Sequence, residues 1–361
     1  MGGTPATRKQ TESGPRLVDR YDALLLDLDG TVFRGGEPVG DARATLSRAR
    51  AAGVALRYVT NNASRAPEDV AAHLRGLGFD AEIAEVSTSA QAGAAVLAAK
   101  LEPGTEVLVV GSAALRTEVE QVGLRPVAAA EAESPANFTA VIQGHSVATA
   151  WPDLAAACEA IRAGAWWVAC NLDPTVPTER GLLPGNGSMV AALRAATGRG
   201  PDLAGKPRSP LFEQAASGLG AVRPLVVGDR LDTDIEGAVN SSMDSLLVLS
   251  GVTDPAGLLA ADPIHRPVFL ATDLGAVFDD AEELRIIEQD RWEIRAVEGG
   301  LTVRALDTAR ESDGPPLDLL RALCAAWWSA SAVGALPLVW AHDEMSDTSV
   351  RALGLGVMAE Y

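Results

Sequence analysis

The sequence predicts an α/β protein built on an open parallel sheet and followed by a smaller α+β unit. Short apolar runs alternate with Ala/Leu/Arg-rich amphipathic stretches from about Asp19 to about Asp280, the pattern of buried strands joined by crossover helices. Several of these runs end in acidic or small polar residues, and an open parallel sheet has its ligand crevice at the carboxyl ends of its strands. From Ala271 onward the composition changes: the last 91 residues hold 7 arginines, no lysine and 17 acids, a net of −10.

Residues 1–16 are polar, lack the apolar run of a secretory signal and are expected as a disordered arm. Buried strands are predicted at 23–28, 54–59, 107–110, 140–143, 166–170, 225–227, 246–249 and 268–270 because each is short and apolar. The acidic stretch Asp279-Asp280-Ala281-Glu282-Glu283 reads as a solvated helix start or linker. Residues 292–306 alternate around Gly299-Gly300 like a hairpin, and a helix over 316–330 and a strand over 338–341 follow. Trp292, Trp327, Trp328 and Trp340 are expected to pack this unit, and Trp166-Trp167 to pack the core.

The 361 residues carry 48 Asp+Glu against 30 Lys+Arg, a formal net charge of −18. That balance excludes a nucleic-acid binder, which needs a basic face to replace condensed counterions. No run of about 18 apolar residues is available to insert into a membrane. Cys158, Cys170 and Cys324 are far apart and set in apolar stretches, so buried free thiols in a cytoplasmic protein are expected. Only Lys9, Lys100 and Lys206 are lysine against 27 arginines, which makes a lysine at a chemically apt position worth a question.

Four clusters carry chemistry. Asp27 and Asp29 follow a fully apolar run at a spacing of two, on one side of an extended chain. One such carboxylate can attack phosphorus while the other moves the proton of the leaving oxygen; the same residues with Gly30 also suit a strand-ending turn. Thr60-Asn61-Asn62 ends the second run, where a hydroxyl and successive N–H groups form an anion nest or, on the bland reading, a plain turn. Lys206, between Gly205 and Pro207, offers a compact ammonium to a phosphoryl oxygen. Asp229, Asp232 and Asp234 follow another apolar run and offer hard oxygen ligands for Mg²⁺, or favourable charge at a helix start. Together they supply the parts of phosphoryl transfer.

These clusters resemble the four motifs of the haloacid dehalogenase-like superfamily of aspartate-nucleophile phosphatases, over about residues 20 to 275. Thr60-Asn61-Asn62-Ala63-Ser64-Arg65, Ser89-Ala90-Gln91, Pro184-Gly185-Asn186-Gly187 and the run from Gly228 to Asp234 look like the NagD-like, 4-nitrophenylphosphatase subfamily, class IIA. The resemblance implies a Rossmann-like core over 17–103 and 204–280, a C2-type α/β cap over 104–203, and a C-terminal extension over 281–361. It implies Asp27 as nucleophile and Asp29 as general acid/base. Mg²⁺ would be held by Asp27, the Asp29 carbonyl and Asp229, with Asp234 acting through water. The phosphoryl group would be held by Thr60, the backbone of Asn61 and Asn62, and Lys206. An acid at position 29 favours phosphate esters over halides, because an alkoxide leaving group needs a proton.

The cap is expected to close over substrate and set specificity, with His145, Asn171 and Asp173 as its candidate contacts. One departure from relatives stands out: Ser242 occupies a turn position where glycine is usual, so that turn is expected to differ. A class IIA core with a short α+β tail looks like the actinobacterial type of glycerol-3-phosphate phosphatase, whose tail resembles an incomplete GNAT acetyltransferase. That likeness implies a Mg²⁺-dependent phosphomonoesterase acting on a small phosphorylated metabolite, foremost glycerol 3-phosphate, and possible homodimers through the caps. 2-Phosphoglycolate, pyridoxal phosphate and sugar phosphates are the alternative substrates. The tail could instead be a binding module for acyl-CoA or a protein, since Arg351-Ala352-Leu353-Gly354-Leu355-Gly356 matches an acetyltransferase pyrophosphate loop. A structural or docking role is preferred for it.

Overall fold

The computed structural model describes residues 14–178, 180–306, 316–330 and 335–359. Lys9 and most of the expected arm lie outside these. Residues 14–16 of that arm are fixed instead: Arg16 bridges Asp280, whose carboxylate also accepts from the Gly14 N–H. Asp280 caps the helix Ala281–Leu284 as well, so the acidic stretch is a helix start with a tether on it.

Six parallel strands form the main sheet in the order Phe269–Ala271, Asp244–Val248, Pro224–Gly228, Ala23–Leu26, Ala55–Thr60, Val86–Thr88. The chain builds outward from Ala23–Leu26 to one edge, then returns beside it and builds to the other. The reversal of strand order therefore falls between Ala23–Leu26 and Pro224–Gly228, and that switch point is where a crevice opens. Val86–Thr88 was not expected from the sequence, because three residues ending in Ser and Thr give no apolar run.

Both faces of the sheet are covered, and the strands alternate between them with period two. Leu24, Leu26, Leu56, Tyr58, Leu225 and Val227 pack on one side with helices Ala42–Ala51 and Pro67–Gly76. Leu25, Val59 and Val226 point to the other, where helices Ser89–Ala98 and Ser209–Ser217 lie. A second parallel sheet, ordered Asp202–Leu203, Trp166–Ala169, Ala140–Gln143, Glu106–Val110, Arg125–Ala128, belongs to the inserted cap. Val107, Val109, Ile142 and Val168 join the same apolar cluster as Leu25 and Val59, so cap and core share packing. The far face of the cap buries Trp167 against helices Trp151–Ala163 and Asn186–Thr197, while Trp166 lies under the Lys100 ammonium at 4.4 Å. A hairpin, Thr175–Thr178 with Gly181–Pro184, stands apart from both sheets.

The tail sheet pairs Trp292–Val297 with Gly300–Ala305, then adds Leu338–Ala341 and Val357–Ala359 in parallel. Helix Leu317–Ser329 packs between this sheet and the main one, its Leu320, Leu323 and Trp327 sharing a cluster with Leu247, Leu270 and Trp292. Its Arg321 is buried and donates two hydrogen bonds to the Leu270 carbonyl, 2.7 and 3.2 Å, on the edge strand. The tail thus covers an edge that would otherwise stay open. Arg351 pairs with Asp347 within helix Glu344–Ala352, and the glycine-containing segment after it leads from that helix into a strand. An acyl-CoA pyrophosphate loop would lead into a helix N-terminus, so the arrangement supports the structural role. Ser242 corrects one expectation: it adopts φ +54° itself, and the turn keeps its left-handed residue at a strain cost.

Candidate active site

Asp27 is still in register with the sheet, its N–H donating to the Val227 carbonyl at 2.9 Å. The chain then reverses: the Leu28 carbonyl accepts from the N–H groups of Thr31, Val32 and Phe33. Gly30 makes this possible twice over, with φ +88° and no room for a Cβ, which would lie 2.5 Å from an Asp229 oxygen. Two neighbouring strands thereby bring Asp27 and Asp229 to the switch point.

Asp27, Asp229 and Asp234 each place a carboxylate oxygen within 4.8 Å of the others. Lys206 joins them, its Nζ 2.5 Å from Asp27 Oδ1 and 2.8 Å from Asp234 Oδ1, with the side chain 2 % exposed. Asp229 Oδ2 accepts from the Val252 N–H at 2.7 Å, whereas its Oδ1 is buried without a hydrogen-bond partner. An orphaned buried oxygen among three carboxylates is a set of hard donors suited to Mg²⁺. The close packing depends on glycines, since a Cβ on Gly251 would reach within 1.8 Å of Asp229 and one on Gly228 within 2.4 Å of Asp234.

Three carboxylates face one ammonium, so the cluster carries surplus negative charge in a dry place. Burial, then repulsion from Asp234, pushes Asp27 up to about 8 despite the pull of Lys206. Asp229 is pushed up to about 6, again by burial first and Asp234 second. Burial draws Lys206 down, but Asp234 and Asp27 outweigh it and hold the lysine above its ordinary value. The lysine therefore stays charged, while Asp27 and Asp229 hold their protons to higher pH than ordinary carboxylates do.

Asp29 sits at the rim with its carboxyl reaching solvent. Partial burial raises its pKa, with His73 and Arg65 opposing. Its side chain is outside the three-carboxylate group, which fits an acid/base rather than a metal-ligating side chain. Asp232 is also outside and pairs with Arg230 at 2.8 Å.

The Thr60 loop lies at the end of the strand beside Asp27's. Thr60 Oγ1 accepts from the Asn62 N–H at 3.1 Å, and Asn62 Oδ1 accepts from the Ser64 N–H at 2.7 Å, so the loop is held by its own side chains. Asn61 turns inward: its Oδ1 accepts from the Lys206 N–H at 2.8 Å and its Nδ2 donates to the Lys206 carbonyl at 3.2 Å. From the cap, buried Asn171 donates to the Asn61 carbonyl at 2.7 Å, and Asp173 Oδ1 lies 3.4 Å from Asn61 Nδ2. Burial raises Asp173, with Arg230 opposing. Ser112 Oγ adds a bond to the Ala63 carbonyl at 3.1 Å. His145 is half-buried on the loop after Gly144, whose Cα neighbourhood touches Ala63. Sequence reasoning missed the roles of Ser112, Gly251 and the Asn61 side chain; for Asn61 the Thr-Asn-Asn wording was the available signal.

Comparison with known proteins adds a second line. Residues 24–125 match the haloacid dehalogenase-like hydrolases, residues 203–277 a HAD-hydrolase-like family, and residues 289–355 the GCN5-related N-acetyltransferase like domain. The chain is 49% identical over 320 residues to D-glycerol 3-phosphate phosphatase of Mycobacterium tuberculosis, covering 88% of each. It is 37% identical to 5'-nucleotidase YutF of Bacillus subtilis over 64% of this chain and 89% of that one. A crystal structure of the mycobacterial glycerol phosphate phosphatase in complex with magnesium superposes with TM-score 0.88 and 46% identity, over 95% of this chain and 100% of that chain. The 4-nitrophenylphosphatase of Thermotoga maritima superposes with TM-score 0.65 and 28% identity, over 73% and 98%.

Proposed function

The chain belongs to the haloacid dehalogenase-like hydrolases, and on that premise we propose that it is a Mg²⁺-dependent phosphomonoesterase whose substrate is glycerol 3-phosphate. The single observation that carries the reading is the buried Asp27/Asp229/Asp234/Lys206 cluster at the switch point of the sheet. The likeness to the mycobacterial enzyme extends through the tail, which supports the same substrate over 2-phosphoglycolate, pyridoxal phosphate or a sugar phosphate.

Asp27 attacks phosphorus in line through a carboxylate oxygen, and the bond from phosphorus to the glycerol oxygen breaks. Asp29, whose partial burial raises its pKa above the ordinary carboxylate value, gives its proton to that departing oxygen. In the second half Asp29 takes a proton from water, the hydroxide attacks phosphorus, and the Asp27–phosphorus bond breaks to release phosphate. Lys206, Thr60 and the N–H groups of Asn61 and Asn62 orient the phosphoryl oxygens throughout. Asp27, Asp229, Asp234 and the Asp29 carbonyl would hold Mg²⁺, which supplies positive charge against the carboxylates and the transferring group. His145 and Asp173, on the cap edge facing this loop, are the proposed contacts for the alcohol.

Asp27→Asn with the fold intact should leave no more than trace hydrolysis; substantial activity would overturn the nucleophile assignment. Comparable kcat/KM across glycerol 3-phosphate, 2-phosphoglycolate and pyridoxal phosphate would overturn the substrate. A cytoplasmic setting is supported by three free cysteines and by no described helix being long and apolar enough to cross a membrane. The net charge of −18 supports the absence of nucleic acid among its partners. Pairing of two copies through the caps is supported by exposed Trp151 and Val147 there, and sedimentation equilibrium checks it.

A further inference from the structure

We infer that Asn61 and the cap residue Asn171 are positioning residues for Lys206, so that the cap acts on the chemistry through the core's own cation and not only through contacts with the alcohol. The inference rests on the phosphatase reading of the site and deepens it.

Lys206 follows Gly205 in a loop that crosses from the cap back to the core. Its backbone is held at both ends of the peptide by one side chain: Asn61 accepts from the Lys206 N–H at 2.8 Å and donates to the Lys206 carbonyl at 3.2 Å. A side-chain amide used this way imitates a strand partner and fixes the height of the Cα. Gly205 permits the approach, since a Cβ there would lie 2.3 Å from the Cys170 carbonyl and 2.6 Å from Asn61 Oδ1.

Asn61 is itself held from the cap. Asn171 donates to the Asn61 carbonyl at 2.7 Å, and Asn186, at the start of the cap helix Asn186–Thr197, donates to the Asn171 carbonyl at 2.7 Å. Asn171 and Asn186 are 3 % and 1 % exposed, so neither presents its amide to a ligand in the open site. The chain Asn186, Asn171, Asn61 runs from the cap helix to the backbone of Lys206, whose ammonium lies beside Asp27. The Asn61 carbonyl also accepts from Ser89 Oγ of the core, so cap and core donors together fix this loop, and a displaced amide would leave its buried N–H groups without a partner. A contact to substrate alcohol, the role expected of Asn171 from sequence, would need its amide free.

The consequence is a loss that ignores the alcohol. With Mg²⁺ present, Asn61→Ala and Asn171→Ala should each lower kcat/KM by about 10- to 100-fold, the scale of an ångström-sized misplacement of a reacting group. The loss should be equal on glycerol 3-phosphate and on p-nitrophenyl phosphate, and the inhibition constant for inorganic phosphate should rise with it. The double variant should lose no more than the worse single one, because both act through one lysine. Asn61→Ser and Asn171→Ser, which keep a hydroxyl, are measured in parallel and should show smaller losses of the same pattern, so a folded variant is in hand if an alanine variant fails. A loss confined to glycerol 3-phosphate with unchanged phosphate inhibition, additive losses in the double variant, or full activity in the singles would each overturn the inference. Lys206→Met is the control for the underlying reading: if it retained wild-type hydrolysis, the phosphatase site itself would be misassigned, whereas its inactivity beside active Asn variants would sink the positioning role alone.

Discussion

Binding of Mg²⁺ should release protons, by an amount that the carboxylate cluster dictates. Without metal, Asp27 is held at about 8 and Asp229 at about 6, far above ordinary carboxylates. A bound divalent ion requires both ionised. At pH 7 the cluster should therefore give up about one proton per ion, nearly all of it from Asp27, and at pH 9 only about a tenth of one. The apparent affinity should rise roughly tenfold per pH unit between pH 6.5 and 7.5 and level off above pH 8. Titration calorimetry in two buffers of different ionisation enthalpy separates the protons from the binding heat. The same linkage acts on stability with a fixed sign. A carboxyl raised above its unfolded value favours the fold at low pH, and the benefit is lost as pH climbs through the folded value. At one excess Mg²⁺ concentration the stabilisation gained should thus be larger at pH 8 than at pH 6 by about 3 kcal/mol. Zero proton release at pH 7 with a flat affinity from pH 6 to 8 would refute the reasoning. It would mean that attraction to Lys206 outweighs burial and repulsion from Asp234, leaving Asp27 ionised before the metal arrives.

Gly251→Ala should lower Mg²⁺ affinity by about 10- to 100-fold, since its Cβ would meet the Asp229 carboxylate at 1.8 Å; calorimetry of a folded variant with wild-type affinity would contradict this. Ser242→Gly should stabilise by about 1 kcal/mol in urea unfolding, because glycine takes φ +54° without the steric cost paid by serine. Arg321→Ala should cost about 2–3 kcal/mol by the same assay while leaving kcat/KM of the folded protein unchanged. Its guanidinium serves the Leu270 carbonyl in the tail interface and lies away from the carboxylate cluster.

Most of the main sheet was legible because a strand buried on both faces must be apolar throughout, as Leu24-Leu25-Leu26 and Leu225-Val226-Val227 are. The cap strand Arg125–Ala128 was not, because solvent relieves edge residues of that requirement, and the edge strand Val86–Thr88 was not, because it is only three residues long and ends in Ser87 and Thr88, buried with the Thr88 hydroxyl capping the next helix. The helix Glu344–Ala352 was missed because it is short and mostly polar, with Met345 and Val350 its only large apolar residues. The left-handed Ser242 shows the reverse, a turn geometry imposed by the surrounding helix and strand on a residue that does not favour it.

By itself the sequence determined the chemical inventory. Asp27, Asp29, Thr60 and Asp229 stand at or just beyond the ends of buried strands of one parallel sheet, which gathers such ends on one edge; Asp234 follows Asp229 closely, and Lys206 stands in the loop after the short strand Asp202–Leu203. What it could not determine was how these charges act on one another, since that depends on distances of a few ångströms and on burial, neither of which is a property of spacing along the chain. Tertiary structure alone decided that Lys206 lies between Asp27 and Asp234 and that an Asp229 oxygen is left unpartnered. It also decided that Asn171, a candidate substrate contact in the sequence, is a buried strut against Asn61. Hydrogen bonds between residues more than a hundred positions apart exist only once two sheets have packed against the same helices, and the linear pattern carries no record of that docking.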